Sequence, residues 1–96
     1  MTSAQRIRGK CLEIAEVLAT KNASYGDSAL HPLGIFASGD PVANLAARID
    51  DKLARVRNAP GAYGEDVVMD LIGYLVLLRL ALEDRAARKN AKEDRP

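Results

Sequence analysis

Apolar residues recur at three- and four-residue steps in three stretches of this chain, the signature of amphipathic helices. The first stretch runs from about Thr2 to Lys21, with Ala4, Ile7, Cys11, Ile14 and Leu18 in one stripe. Thr2 or Ser3 can cap its start and Asn22 can end it. The second opens at Asp40-Pro41, an N-cap followed by proline at the first helical position. Its stripe is Val42, Leu45, Ile49, Leu53 and Val56, and the run N-A-P-G-A-Y-G from Asn58 to Gly64 stops it. The third begins at Glu65 or Asp66, acids suited to a helix N-terminus. It is apolar around almost its whole circumference from Val67 to Leu82, which places it in the middle of the assembly. Beyond Glu83 the residues turn polar, and positions 85–96 read as a tail that frays. The connection from Ala23 to Gly39 is long for so short a chain, and such loops are functional or disordered. Its Leu30, Leu33, Ile35 and Phe36 are expected to dock on the bundle as an ordered, partly packed loop.

This pattern predicts one all-α domain, residues 1–96, of three main helices with a long loop between the first and second. A length of 96 residues is near the lower limit for a self-sufficient core, so oligomerisation is expected to complete the bundle. Cys11 is the lone cysteine, so no internal disulfide staples the fold, and its place on the stripe reads as a small buried hydrophobe. With 14 Lys and Arg against 13 Asp and Glu, the charge balance argues against binding nucleic acid through bulk electrostatics. The longest apolar run, Leu71 to Leu78, is far short of the ~20 residues a bilayer crossing requires. No signal peptide is evident, and the expected location is the cytoplasm.

Candidate chemistry lies on all three helices. Asp66 and Asp70 are one turn apart on a face that continues into Gly73 and Leu77, and carboxylates so spaced can hold Mg²⁺. The bland alternative is a first-turn partnership with the helix dipole. Gly73 lowers helix stability by about 1 kcal/mol relative to alanine, a cost that fits close approach of a ligand or another helix. On the second helix Arg48, Lys52 and Arg55 form a basic row able to clamp a polyphosphate. Asp51 stands at the right spacing to neutralise Arg48 and Arg55 instead. Glu13 and Glu16 are a second acidic pair on the first helix, but they lie opposite its apolar stripe, as a solvated face would. In the loop, Lys21 can reach a phosphate, Tyr25 can stack on a base and Gly26 permits a tight turn. His31 has no second histidine or cysteine beside it in sequence and is a weak metal candidate.

Taken in order, K-x3-Y-G at Lys21 to Gly26, R-I-x-D-K-L-x-R at Arg48 to Arg55 and E-D-x3-D-L-x-G-Y at Glu65 to Tyr74 resemble small phage and prophage proteins. These are of the all-α nucleoside triphosphate pyrophosphohydrolase superfamily, MazG-like and dimeric dUTPase-like. The resemblance spans roughly Lys21 to Leu82. It implies a homodimer or homotetramer that traps a nucleoside triphosphate between helices. It also implies Mg²⁺-dependent hydrolysis to a monophosphate and pyrophosphate. By that resemblance Glu13, Glu16, Asp66 and Asp70 are the metal ligands, with Asp66 and Asp70 catalytic. Lys21, Tyr25, Arg48, Lys52 and Arg55 would hold the substrate. The family pairs E-x-x-E with E-x-x-D; Glu13 and Glu16 keep the first spacing, whereas Asp66 and Asp70 are four apart. The rival reading is a non-catalytic helical interaction module, such as a phage-type adaptor or host-factor inhibitor. A DNA-binding module ranks last, because Asp50 and Asp51 on the basic helix would repel phosphate.

Overall fold

A computed structural model of the chain describes residues 1–59, 61 and 64–93, with the backbone alone described for Glu65. Three helices make up the fold: α1 (Ser3–Ser24), α2 (Pro41–Asn58) and α3 (Glu65–Glu93). Each start has a chemical cause. The Thr2 hydroxyl accepts from the Gln5 N–H while the Gln5 side chain accepts from the Thr2 N–H, a capping box that satisfies two orphan groups. The Asp40 carboxylate accepts from the Val42 N–H at 3.0 Å ahead of Pro41.

α1 ends two residues beyond Asn22, with Tyr25 as its C-cap. Gly26 and Asp27 follow at φ 63° and 61°, left-handed values that turn the chain out of the helix. Asn22 does take part in this exit, donating from its side-chain amide to Asp27 at 3.0 Å. α3 runs on to Glu93, so the helix continues through most of the polar stretch expected as a tail; residues 94–96 lie outside the described residues. Ala86, Ala87, Arg88, Lys89 and Lys92 are strong helix formers, which sustains the helix without tertiary support. Pro60, Ala62 and Tyr63 of the run expected to stop α2 also lie outside the described residues.

Packing is uneven. α2 and α3, joined by a short connection, pack as a helical hairpin, and α1 adds little to it. The core comprises Leu45 of α2 with Val67 and Ala81 of α3. Half-buried Val42, Ile49 and Val56 extend it along α2. Leu53, expected in that stripe, instead faces outward at 52% exposure, and Lys52 occupies the inner row. Position 52 lies seven residues after Leu45 and four before Val56, squarely on their face, whereas position 53 lies on its edge.

α1 meets α3 where Leu18 lies against Gly73. A Cβ at Gly73 would stand 2.9 Å from Leu18 Cδ2, so the glycine admits another helix. Ile14 and Leu18 are half-buried, but Ile7 and Cys11 are exposed, and no residue of α1 is fully buried. Cys11 is therefore not a buried hydrophobe here. α1, about 33 Å long for 22 residues, runs past the hairpin and leaves the first half of its stripe uncovered.

The loop departs most from expectation. Leu30 is half-buried, yet Leu33, Ile35 and Phe36 are exposed rather than docked on the bundle. The segment is held by polar contacts close in sequence. The Asn44 amide donates to the Ser38 carbonyl at 2.6 Å, and the Ser38 hydroxyl accepts from the Asp40 N–H. Gly34 at φ 69° would bring a Cβ within 3.1 Å of Gly39 Cα, so the backbone folds on itself there. These ties fix the loop's ends without turning its apolar side chains inward. No helix among the described residues is long and apolar enough to cross a membrane.

Candidate functional site

The α2–α3 seam joins two residues singled out for different chemistry. Lys52 Nζ lies 2.9 Å from Asp70 Oδ2, with 18% and 31% of the respective side chains exposed. The pairing follows from helical position. Asp70 is three residues after buried Val67 and three before buried Gly73, on the face α3 turns toward the rest of the fold. Lys52 projects from the inner row of α2, its side chain only 18% exposed, and its ammonium reaches the carboxylate.

Arg48 and Arg55 flank Lys52 on the rim of α2 and are exposed. Neither has a carboxylate partner among the described residues, and Asp51 pairs with neither. The intramolecular neutralisation that the spacing allowed is thus absent. The cation that does pair is Lys52, across helices rather than along one. Two guanidinium groups without a carboxylate partner among the described residues therefore lie on either side of a closed ion pair.

Other candidates are dispersed. Asp66, in the first turn of α3, is exposed and has no ion-pair partner among the described residues. Glu13 bridges Lys10 at 2.8 Å on the outer face of α1, and Glu16 is exposed beside it. Among the described residues no three of His, Cys, Asp and Glu come together as a metal-binding group. Within one chain the donor set is thus Asp66 and Asp70 on α3, with Glu13 and Glu16 elsewhere. Two carboxylates one turn apart still fit Mg²⁺, which takes one or two carboxylates and completes its shell with water and phosphate oxygens. Glu65 belongs to the same acidic stretch, but its side chain lies outside the described residues.

Lys21 and Tyr25 are exposed at the end of α1, and the Tyr25 N–H donates to the Lys21 carbonyl. The Tyr25 ring is open to a stacking partner. His31 lies 3.3 Å from Asp27, one turn earlier, in an exposed local contact. An open groove of about 580 Å³ runs beside the loop, and Leu33, Ile35, Phe36, Asn44 and Arg48 are among its lining residues. Arg48 thus lines the apolar trough and stands one helical turn before Lys52 of the ion pair. Sequence reasoning did not identify this trough. The available signal is three large apolar residues in a Gly- and Pro-rich segment, a pattern that packing on the bundle would equally produce.

The arrangement can hold an extended anion along α2, with an apolar surface for a planar group next to Arg48. Comparison with protein-family models, with curated proteins and with solved structures found no match for this chain.

Proposed function

We propose that this chain binds a nucleoside triphosphate along the α2 basic row and hydrolyses it, with Mg²⁺, to the monophosphate and pyrophosphate. The observation that carries this reading is the Lys52–Asp70 pair at 2.9 Å between two cations that have no carboxylate partner among the described residues. In the free protein Lys52 and Asp70 neutralise each other, because an unpaired charge at a half-buried seam is costly. A triphosphate with its divalent cation offers each of them an opposite charge, so the pair can open with neither side chain left uncompensated.

Arg48 and Arg55 would grip the phosphate chain through forked contacts, and Lys52 would swing from Asp70 onto a phosphate oxygen. Asp70, released, and Asp66 would hold the Mg²⁺. When bound, that ion supplies positive charge to the triphosphate and a water of lowered pKa. In the reaction, water oxygen bonds to the α-phosphorus and the bond to the α–β bridging oxygen breaks. Pyrophosphate leaves and the water's proton passes to solvent. The basic row stabilises the charge that accumulates on the leaving group. Tyr25 and the apolar trough beside Arg48 provide surfaces for the base.

The second reading, a non-catalytic interaction module, draws support from the exposed Leu33, Ile35 and Phe36, an apolar set that a partner chain could cover. Calorimetry separates the two. Titration of a ribo- and deoxynucleoside triphosphate panel with Mg²⁺ should give heat for at least one nucleotide. An Arg48→Ala, Arg55→Ala double variant should lose it while keeping its helical circular dichroism. No heat from any nucleotide would defeat the enzyme reading and leave the interaction module.

A further inference from the structure

α3 outruns its partner helix. Its 29 residues span about 43 Å, against about 27 Å for the 18 residues of α2, so the hairpin does not cover it from end to end. From Glu83 to Glu93 every residue is exposed, and the helix stands there as a free arm. The face that is buried at Val67 and Ala81 continues along this arm, at helical spacing, as Arg85, Arg88, Lys89 and Lys92. These four positions share an arc of about 100°. Beyond Ala81 the inner face of α3 thus turns from apolar to cationic.

The stripe is not neutralised along the helix. Asp84 stands four residues before Arg88 and Glu93 four after Lys89, a spacing that permits ion pairs. Neither pair forms, and none of the four cations has a carboxylate partner among the described residues. Asp84 and Glu93 lie about 40° outside the stripe, one on each side. Cations in a last turn complement the helix dipole, but that effect fades within the turn and accounts for Lys92 alone.

The arm also lacks large apolar side chains. Its apolar residues are Ala86, Ala87 and Ala91, so it has neither the bulky anchors that seat a helix in a membrane surface nor those that centre a protein interface. Cations on a slim helix match phosphates instead, and the major groove of B-form DNA, about 12 Å wide, admits one α-helix.

We infer that the Arg85–Arg88–Lys89–Lys92 face of α3 binds the phosphate backbone of duplex DNA, with the arm laid in the major groove. The formal charge of +1 hides this stripe, because acids elsewhere in the chain cancel it in the sum. Asp50 and Asp51, which disfavour phosphate on α2, are on another helix. The inference goes beyond nucleotide hydrolysis and does not rest on it, since none of the four residues is among the proposed triphosphate contacts.

Fluorescence anisotropy of a labelled duplex DNA of about 20 base pairs, titrated with the full chain, tests it. At about 0.1 M salt the dissociation constant should fall at about 1–100 µM, and the log of the binding constant should slope at about −3 to −4 against log salt, as four phosphate contacts require. Replacing all four cations (R85Q, R88Q, K89Q, K92Q) should weaken binding at least about tenfold and flatten the slope, with helical circular dichroism retained. Should that variant lose helix, R88Q with K89Q takes its place and should weaken binding at least about threefold. No binding of the duplex at about 100 µM chain overturns the inference, and so does binding of phosphatidylserine vesicles in place of the duplex. A helical glutamine variant that binds as tightly as the parent overturns it equally.

Discussion

Separating Lys52 from Asp70 without disturbing the surrounding packing gives a sharp test of the seam. Asp70→Asn keeps the shape of the side chain, and Lys52→Met keeps most of the stem that covers its neighbours. At 2.9 Å and an effective dielectric of about 20, the gross attraction is about 6 kcal/mol. Most of this is offset by the desolvation of two side chains that are 18% and 31% exposed. Fully exposed pairs couple by about 0.2–1 kcal/mol, and residues in direct contact by up to about 3. Partial burial on both sides places this pair at about 1–2 kcal/mol. Urea unfolding of the four proteins of the cycle, at one fixed chain concentration, measures it. Each single variant should lose about 1–2 kcal/mol, and the double variant should be no worse than the poorer single. Raising the salt to 1 M should shrink the coupling, because water reaches part of the pair. Strict additivity, with a coupling within about 0.3 kcal/mol of zero, would mean that the seam does not depend on this contact.

Three further outcomes follow from local geometry. Asp40→Ala removes the acceptor of the Val42 N–H and should cost about 1 kcal/mol in the same urea assay; a loss below about 0.3 would contradict the capping role. Gly73→Ala should be near neutral, since a helix gain of about 1 kcal/mol is offset by displacing the flexible end of Leu18. In a Leu18→Ala background the same substitution should be stabilising by about 1 kcal/mol, and a penalty there would place the constraint on the backbone instead. Phe36→Ser should leave the thermal midpoint within about 3 °C of the parent, because its side chain is fully exposed; a drop of 8 °C or more would show that the ring is packed.

Helix identity was legible because it depends on local rules. Thr2, Asp40-Pro41 and the acids at Glu65 and Asp66 mark starts by chemistry that needs no partner, and all three starts fall within a residue of their signals. What covers each stripe was not legible, because that depends on chain length and crossing geometry. Cys11 and Leu18 share a stripe, yet only Leu18 reaches α3. Leu33, Ile35 and Phe36 are apolar enough to pack, but the polar ties around Ser38, Asp40 and Asn44 hold the loop with these side chains outside. For the site, the acidic and basic motifs were visible, whereas their meeting at one contact was not. The clue was available in the spacing of Lys52 from Leu45 and Val56, which places a cation on an apolar face. A charge in that position needs an opposite charge on the facing helix, and Asp70 of α3 provides it. Glu13 and Glu16 carried the opposite clue, their place away from the α1 stripe, and the chain leaves them in solvent.

Pyrophosphate release from a panel of ribo- and deoxynucleoside triphosphates in Mg²⁺ buffer bears most directly on the proposed activity. At least one nucleotide should yield monophosphate and pyrophosphate in equal amounts. Asp70→Asn, with its helical circular dichroism intact, should lower that rate by about a hundredfold or more. No pyrophosphate from any nucleotide, or an undiminished rate in Asp70→Asn, would contradict the account.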